Sequence, residues 1–378
     1  MKCLMSLFTV LIIISQVNIQ AQEQIQLTDI EMINLGDGQR YATKKDADKT
    51  PVDGKCRIIT GYTTEYIDAE FKKGYAEGVW KYYKNNILTE EMAFAEGYLN
   101  GDQISYYPNG EVKTKATLKK GKVDGTAVSY RHDGTIESEL TMEDGIQEGP
   151  EKYYNQDGSL RRRTEFKNGK PEGESQSVIN YGMSDEYRII QFYKNGLPDG
   201  PYTEVYTNDQ DKVSGKYSDG KKTGVWEYFK QNGDRAKPTD EYDNDDLIKR
   251  ITYYTNGNVE MERSMRKGKY HGAEKKYTLE GKLKSEKNYV DGKQVGKQMV
   301  YMTSNQADYV EVTNYNDKGK KDGEYSQMYA DTDKPKQKGQ YVNDQKDGKW
   351  QYFNRGGKVE KEELYEKGSL KSSTRFEN

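Results

Sequence analysis

The sequence predicts an all-β fold: an elongated repeat array of stacked antiparallel β-hairpins, with about 24 residues per repeat, forming a mostly single-layer twisted sheet. Three observations predict it. Pairs of glycines four residues apart return along most of the chain, runs of alternating residues lie between them, and aromatic rings supply the apolar material. Hydrophobic residues are 33% of the 378, charged residues are 32% and mean hydropathy is −1.11, too little aliphatic material to fill several compact interiors. Yet the chain has 33 Tyr, 8 Phe and 3 Trp, which disordered chains lack. A net charge of −3 lacks the basic excess of a nucleic-acid binder.

The chain opens "MKCLMSLFTVLIIISQVNIQAQ". A lysine at position 2, an apolar run over Leu7–Ile14 and a small residue at Ala21 form the pattern of a signal peptide over residues 1–21. The run is short for a spanning helix, which needs about 20 residues. Cys3 stands at the wrong end of the run for a lipoprotein, and after cleavage only Cys56 remains, so no intramolecular disulfide can form. The expected location is therefore exported, periplasmic or cell-envelope associated. Residues 22–48 read as a lead-in segment, 49–372 as the repeat array and 373–378 as a tail.

Within the array the first glycine of each pair is Gly74, Gly97, Gly121, Gly145, Gly169, Gly196, Gly220, Gly268, Gly292 and Gly319, with Gly368 beginning one more unit. Asp245 and Asp344 hold the place in two degraded copies. The second glycine is Gly78, Gly101, Gly125, Gly149, Gly173, Gly200, Gly224, Gly272, Gly296 and Gly323. Thr50 and Gly54 occupy the same frame. A fixed period of this length means an array of supersecondary units. After the second glycine an alternating run ends on a ring such as Tyr83, Tyr130 or Phe353, and a turn follows: Asn109-Gly110, Asp133-Gly134, Asp157-Gly158, Asn232-Gly233 or Asn256-Gly257. These pairs are expected to supply the positive φ angles of two-residue hairpin turns. A second run then places one apolar residue three before the next frame position: Phe71, Phe94, Leu118, Met142, Phe166, Tyr193, Tyr217, Tyr242, Met265, Tyr289, Tyr341 and Tyr365, with Tyr315 one residue further back. These residues are expected to form a column stacked from unit to unit, each aromatic pair contributing about 0.5–1.5 kcal/mol beyond burial.

The units read aromatic-x-x-Gly-x-x-x-Gly-x-W/x-x-Y-Y/F followed by a turn, and this pattern resembles the MORN-repeat variant found in tandem in many bacterial proteins. The resemblance covers residues 49 to about 372. It implies an elongated hairpin sheet and a non-enzymatic role. MORN repeats proper are linked to membrane or protein association, and bacterial variant proteins often carry an antitoxin label.

Catalytic chemistry finds little support. His132 and His271 lie far apart in sequence, and His132 adjoins a turn. "GKYSDGKK" (215–222) matches the start of a phosphate loop, but it lacks the Ser/Thr for Mg²⁺ and sits between strands. The acidic stretches 46–54 and 242–247 lack the spacing of a calcium loop. Cys56 reads as a small buried apolar residue. No cofactor and no metal are expected. Two insertions lengthen their units and are the expected binding loops: Asn180, Tyr181, Asp185 and Glu186 in the first, Asn305, Asp308 and Tyr309 in the second. The leading expectation is an exported, non-catalytic scaffold that binds a protein partner or an envelope surface. The alternatives are an antitoxin-like or immunity-like inhibitor and a carbohydrate-binding module using exposed aromatics.

Overall fold

The structure is a computed structural model that describes residues 22–36, 38–61, 63–303, 308–332 and 334–377. The signal-peptide pattern of 1–21 and Asn305 of the second insertion lie outside the described residues. The chain divides into two compact units, 1–149 with 154–159, and 150–153 with 160–378.

In the first unit a meander runs through Gly54–Ile59, Tyr66–Lys72, Tyr75–Lys84, Ile87–Ala95, Tyr98–Tyr106, Val112–Lys119, Gly125–Tyr130 and Ile136–Glu143, each strand pairing antiparallel with the next. The second unit repeats this from Leu160–Lys167 to Ser369–Arg375 in strict chain order. Both are open sheets, and no α-helix occurs among the described residues. The all-β hairpin reading holds because period-2 alternation and dense glycine leave no helical stripe to bury.

The frame glycine sits in the tight turn. Lys73 (φ +52°) and Gly74 (φ +86°) are both left-handed, and Glu96-Gly97, Asn168-Gly169 and Asp291-Gly292 repeat the pattern. Two successive positive φ angles define a type I′ turn, whose twist matches that of the strands it joins. In the degraded copies Asn244-Asp245 and Asn343-Asp344 adopt the same conformation, since short polar side chains tolerate it.

The Asn-Gly and Asp-Gly turns are different from the expectation. Gly110, Gly134, Gly158, Gly233 and Gly257 have positive φ, while the residue before each does not. Tyr107 N–H donates to Glu111 O and Gly110 N–H to Tyr107 O, which closes a three-residue loop. The pairing then slips between Ser105 and Tyr106. This is a type I turn followed by a G1 bulge. Pro108 suits its first central position, because its fixed φ is that of a type I turn.

The second glycine lies inside a strand, at a bulge. Thr164 faces Ser175 while Phe166 faces Pro171, so the strand holding Gly173 carries two extra residues there. A two-residue excess preserves the alternation, and side chains on both sides of the bulge keep their face.

Residues 22–48, read as a lead-in, form Glu23–Gln26, Ile30–Asn34 and Arg40–Lys44. The first pairs parallel with Gly54–Ile59, and the other two form a hairpin. Ala42 N–H donates to Gly74 O, and Val52 closes the circuit between Ala42 and Gly74. Ile25, Ile30, Ala42 and Val52 thereby cover Cys56, Ile58, Phe71, Ala76, Trp80 and Phe94 in one buried cluster. Here the protein departs from a single layer, because this segment brings aliphatic side chains that the repeats lack.

Candidate functional site

Every surface of the array is built from rows of equivalent residues. Along the edge of type I′ turns, the residue before the second glycine accepts the backbone N–H that opens the next tight turn. Asp53 accepts from Lys73 at 2.7 Å, Glu77 from Glu96 at 3.0 Å, Glu172 from Asn195 at 2.7 Å and Asp347 from Lys367 at 3.0 Å. His271 fills this role once, with Nδ1 3.4 Å from Asp291 N. On the other edge Tyr107, Tyr206 and Tyr254 donate their hydroxyls to Tyr130 O, Phe229 O and Tyr277 O at 2.8–3.0 Å. Hydrogen bonds one repeat apart therefore stitch both edges.

The expected column exists as a row but not as a self-stacked pile. Phe71 and Phe94 are buried with Leu118, while Phe166, Tyr193, Tyr217, Tyr242, Tyr289, Tyr315, Tyr341 and Tyr365 are half-buried, as are Met142 and Met265. In several hairpins a ring from the intervening strand separates successive members. Trp80 lies 5.0 Å from Phe71 and 4.7 Å from Phe94, Trp226 5.1 Å from Tyr217, and Trp350 5.1 Å from Tyr341 and 6.3 Å from Tyr365. Tyr270 packs on Tyr289 at 5.6 Å. Most of these contacts are edge-to-face, the favoured arrangement of two quadrupoles. The three tryptophans are the largest fully buried side chains. The G-x-W spacing holds them in the sequence, and their role as pillars is visible only once the strands pair. Lys222 and Lys346 extend over Trp226 and Trp350, each with Nζ 4.1 Å from the ring. Desolvation there lowers the Lys346 ammonium from its ordinary value.

Beyond the pillars, the same face carries buried carboxylates held by cations and phenols. Arg250 grips Asp240 with two bonds of 2.6 and 2.8 Å, and Arg263 Nε donates to Glu274 at 2.8 Å. Glu363 accepts from Tyr352 at 2.7 Å and Tyr365 at 2.9 Å, with Lys361 Nζ at 2.6 Å. Burial works to raise the Glu363 carboxyl, but these donors outweigh it and bring it down to about 2. Burial, joined by the Glu204 carboxylate beside Tyr202 and the Glu311 carboxylate beside Tyr325, pushes both phenols well above the ordinary range. The opposite face is a lattice of cross-strand ion pairs, Lys81–Glu91, Lys115–Asp102 and Lys249–Glu262. Exposed aliphatics interrupt it, Val79 at 53%, Val225 at 52% and Leu364 at 48% exposure.

The first insertion is self-bonded. Asn180 Nδ2 donates to Asp185 at 2.7 Å and Gly182 N–H to Glu186 at 2.7 Å, which leaves Tyr181 and Met183 exposed. In the second, Tyr309 begins a strand under Lys336, whose Nζ lies 3.8 Å from the ring, and Asp308 O accepts from Ala330 N–H. Each histidine has a local role: His132 packs on Tyr107 at 3.7 Å, and His271 belongs to the turn ladder. The acidic stretches use their oxygens internally, Asp46 accepting from Thr50 N–H and Asp245 from Lys222 N–H. Among the described residues no group of His, Cys, Asp and Glu has the arrangement of a metal site. Cys56 is buried, and desolvation raises its thiol to about 11, away from nucleophilic thiolate.

Four segments, 99–120, 147–168, 270–291 and 346–367, match the MORN repeat variant family, so the chain carries tandem repeats of this type. No curated protein matches the chain. Among solved structures it is similar to TcdB2-TccC3, at 10% identity over 89% of this chain and 22% of that one, with a TM-score of 0.12. It is similar also to the Photorhabdus luminescens Tc holotoxin pore carrying a TccC3 mutation, at 10% identity over 89% and 24%, with a TM-score of 0.14. The chain spans under a quarter of either, and likeness at this level bears on neither fold nor role.

Proposed function

We propose that this protein is an exported, non-catalytic repeat scaffold that binds a protein partner or a cell-envelope surface. The observation that carries the reading is the patterned outer face: paired charges in rows, with exposed aliphatics such as Val79 and Val225 at equivalent positions after the second glycine. A rigid lattice of satisfied side chains offers area and register to a partner, with little ordering cost on association. MORN repeats commonly mediate protein or membrane association, which agrees with this use of the surface. Export rests on the pattern of residues 1–21. The test is capture from the envelope fraction with the mature chain and with Val225→Glu, alongside intact-mass analysis of the native protein. The reading expects a mature start at Gln22 and capture lost in the variant while the fold is kept. A start at Met1 in the cytosol would remove export, and equal capture by both chains would remove this face as the binding surface.

A further inference from the structure

The hairpins differ at one inward position: several hold no ring there but Gln103, Ala127, Glu151, Glu274 or Gln298, and one holds the small Ser175 beside a pocket. The position two residues after the second glycine holds Trp80, Trp226, Trp350, Tyr202 or Tyr325 in five hairpins. Under two of the tryptophans the neighbouring strand makes room with a glycine. Gly215 and Gly339 lie under Trp226 and Trp350, where an added Cβ would come within 2.3 and 2.2 Å of the indole. Tyr325, the smaller ring, stands opposite Thr313, and both are buried.

In the hairpin of Leu160–Lys167 and Lys170–Ile179 the equivalent position is Ser175, opposite Thr164. Their hydroxyl oxygens are 2.9 Å apart. Phe166 and Tyr193 still occupy the column positions on the two neighbouring strands, but no ring fills the place between them. What remains is a pocket of about 300 Å³, with Thr164 and Ser175 as its floor and Phe166, Tyr193 and Ile189 as walls. That volume falls at the lower end of the range of small-ligand sites. The chain itself shows what such a seat holds, since the Thr313 seat is filled by the phenol of Tyr325.

The polar end differs in a way that specifies the ligand further. Tyr325 donates its hydroxyl to Glu311, four residues before the column ring Tyr315, at 2.9 Å. Four residues before Phe166 stands Arg162, paired with Glu151 at 3.0 Å and able only to donate. A guanidinium–phenol contact has a precedent in this protein, where Arg263 Nη1 donates to the Tyr270 hydroxyl at 2.6 Å. A second departure from the repeat falls in the same hairpin, since the insertion bearing exposed Tyr181 and Met183 begins at Asn180. It starts three residues beyond Ser177, about 10 Å along the strand.

We infer that the Ser175 seat is a binding site for one aromatic ring bearing a hydroxyl, supplied by a tyrosine of a partner protein or by a free phenolic molecule. The inference rests on the seat's geometry and stands apart from the export and scaffold reading. Two probes test it by NMR, p-cresol and the peptide Ser-Ser-Tyr-Ser-Ser. Saturable shifts at Ile189 and Tyr193 are expected. They should be lost at least tenfold in Ser175→Tyr, which fills the seat over Thr164 as Tyr325 does over Thr313. Ser175→Leu is the second filling variant should the first fail to fold, and Lys293→Ala is the unaffected control. A peptide at least tenfold tighter than p-cresol assigns the site to a protein side chain, and equal affinity assigns it to a free phenol. Three results would overturn the inference: no shift with either probe, binding undiminished in the folded filling variants, or shifts produced by glucose but by neither aromatic probe.

Discussion

The hairpins beneath residues 22–53 and those from residue 160 onward share one frame but bury different chemistry. Beneath the N-terminal segment, Ile25, Ile30, Val52 and Ile58 close over Phe71, Trp80 and Phe94 as an ordinary apolar core. In the second unit the buried apolar residues among those described are Trp226, Trp350 and Tyr325 with the small aliphatics Val205 and Val213, and the buried polar ones include Thr164, Asp240, Glu274, Gln298, Thr313 and Glu363. A sheet without a covering layer hides little aliphatic area, so long side chains lie over one another and pair their polar ends. Buried charge is then a by-product of shallow burial, and it holds only where each carboxylate is fully answered.

The largest effects should come from the pillars, and they should differ between the two regions. Trp80→Ala and Trp350→Ala should each cost about 3–5 kcal/mol, as large-to-small changes at full burial do. Calorimetry or denaturant unfolding checks the size. Trp80→Ala should also loosen the aliphatic cluster, whereas Trp350→Ala should leave that cluster intact. If both variants disturb the same residues, the contrast between regions fails.

Glu363 comes next. Its folded value near 2 lies below the ordinary glutamate value of 4.5, so its contribution is fully present above about 4.5 and drains away as pH falls toward 2. Glu363→Gln should cost about 1.5–3 kcal/mol at neutral pH, the range for hydrogen bonds to charged groups. It should also flatten the acid limb of stability between pH 4.5 and 2. An unchanged acid limb would show that the Lys361, Tyr352 and Tyr365 contacts do not hold in solution.

Tyr289→Ala should be smaller, about 1.5–2.5 kcal/mol, because the half-buried ring has one aromatic contact, Tyr270, and loses about half of what a buried ring loses. Lys293→Ala, at the exposed start of the next strand, should fall under about 0.5 kcal/mol. Equal costs at Tyr289 and Lys293 would mean that the two faces are misassigned.

What could be read in advance was what repeats. Gly74, Gly97 and their equivalents announced turns through spacing alone, and the row from Phe71 to Tyr365 followed from alternation between them. Turn type was less legible, because Asn-Gly serves both a type I′ turn and the end of a G1-bulge loop. Only the pairing of Tyr107 with Glu111 decides between them. The segment 22–48 was opaque because it has no period, and its place depends on distant partners, Glu23 beside Cys56 and Ala42 beside Gly74. The Ser175 seat was missed for a related reason. A serine in a strand is unremarkable until the tryptophans and tyrosines of equivalent positions are seen to be pillars.

Hydrogen exchange on Trp350→Ala measures the central claim, that stability beyond the aliphatic core is held hairpin by hairpin. Protection should fall over residues 321–375, where strands flank the lost indole, and remain at its original level over 54–106. Loss of protection to the same degree in both stretches would show a single cooperative core and contradict the account.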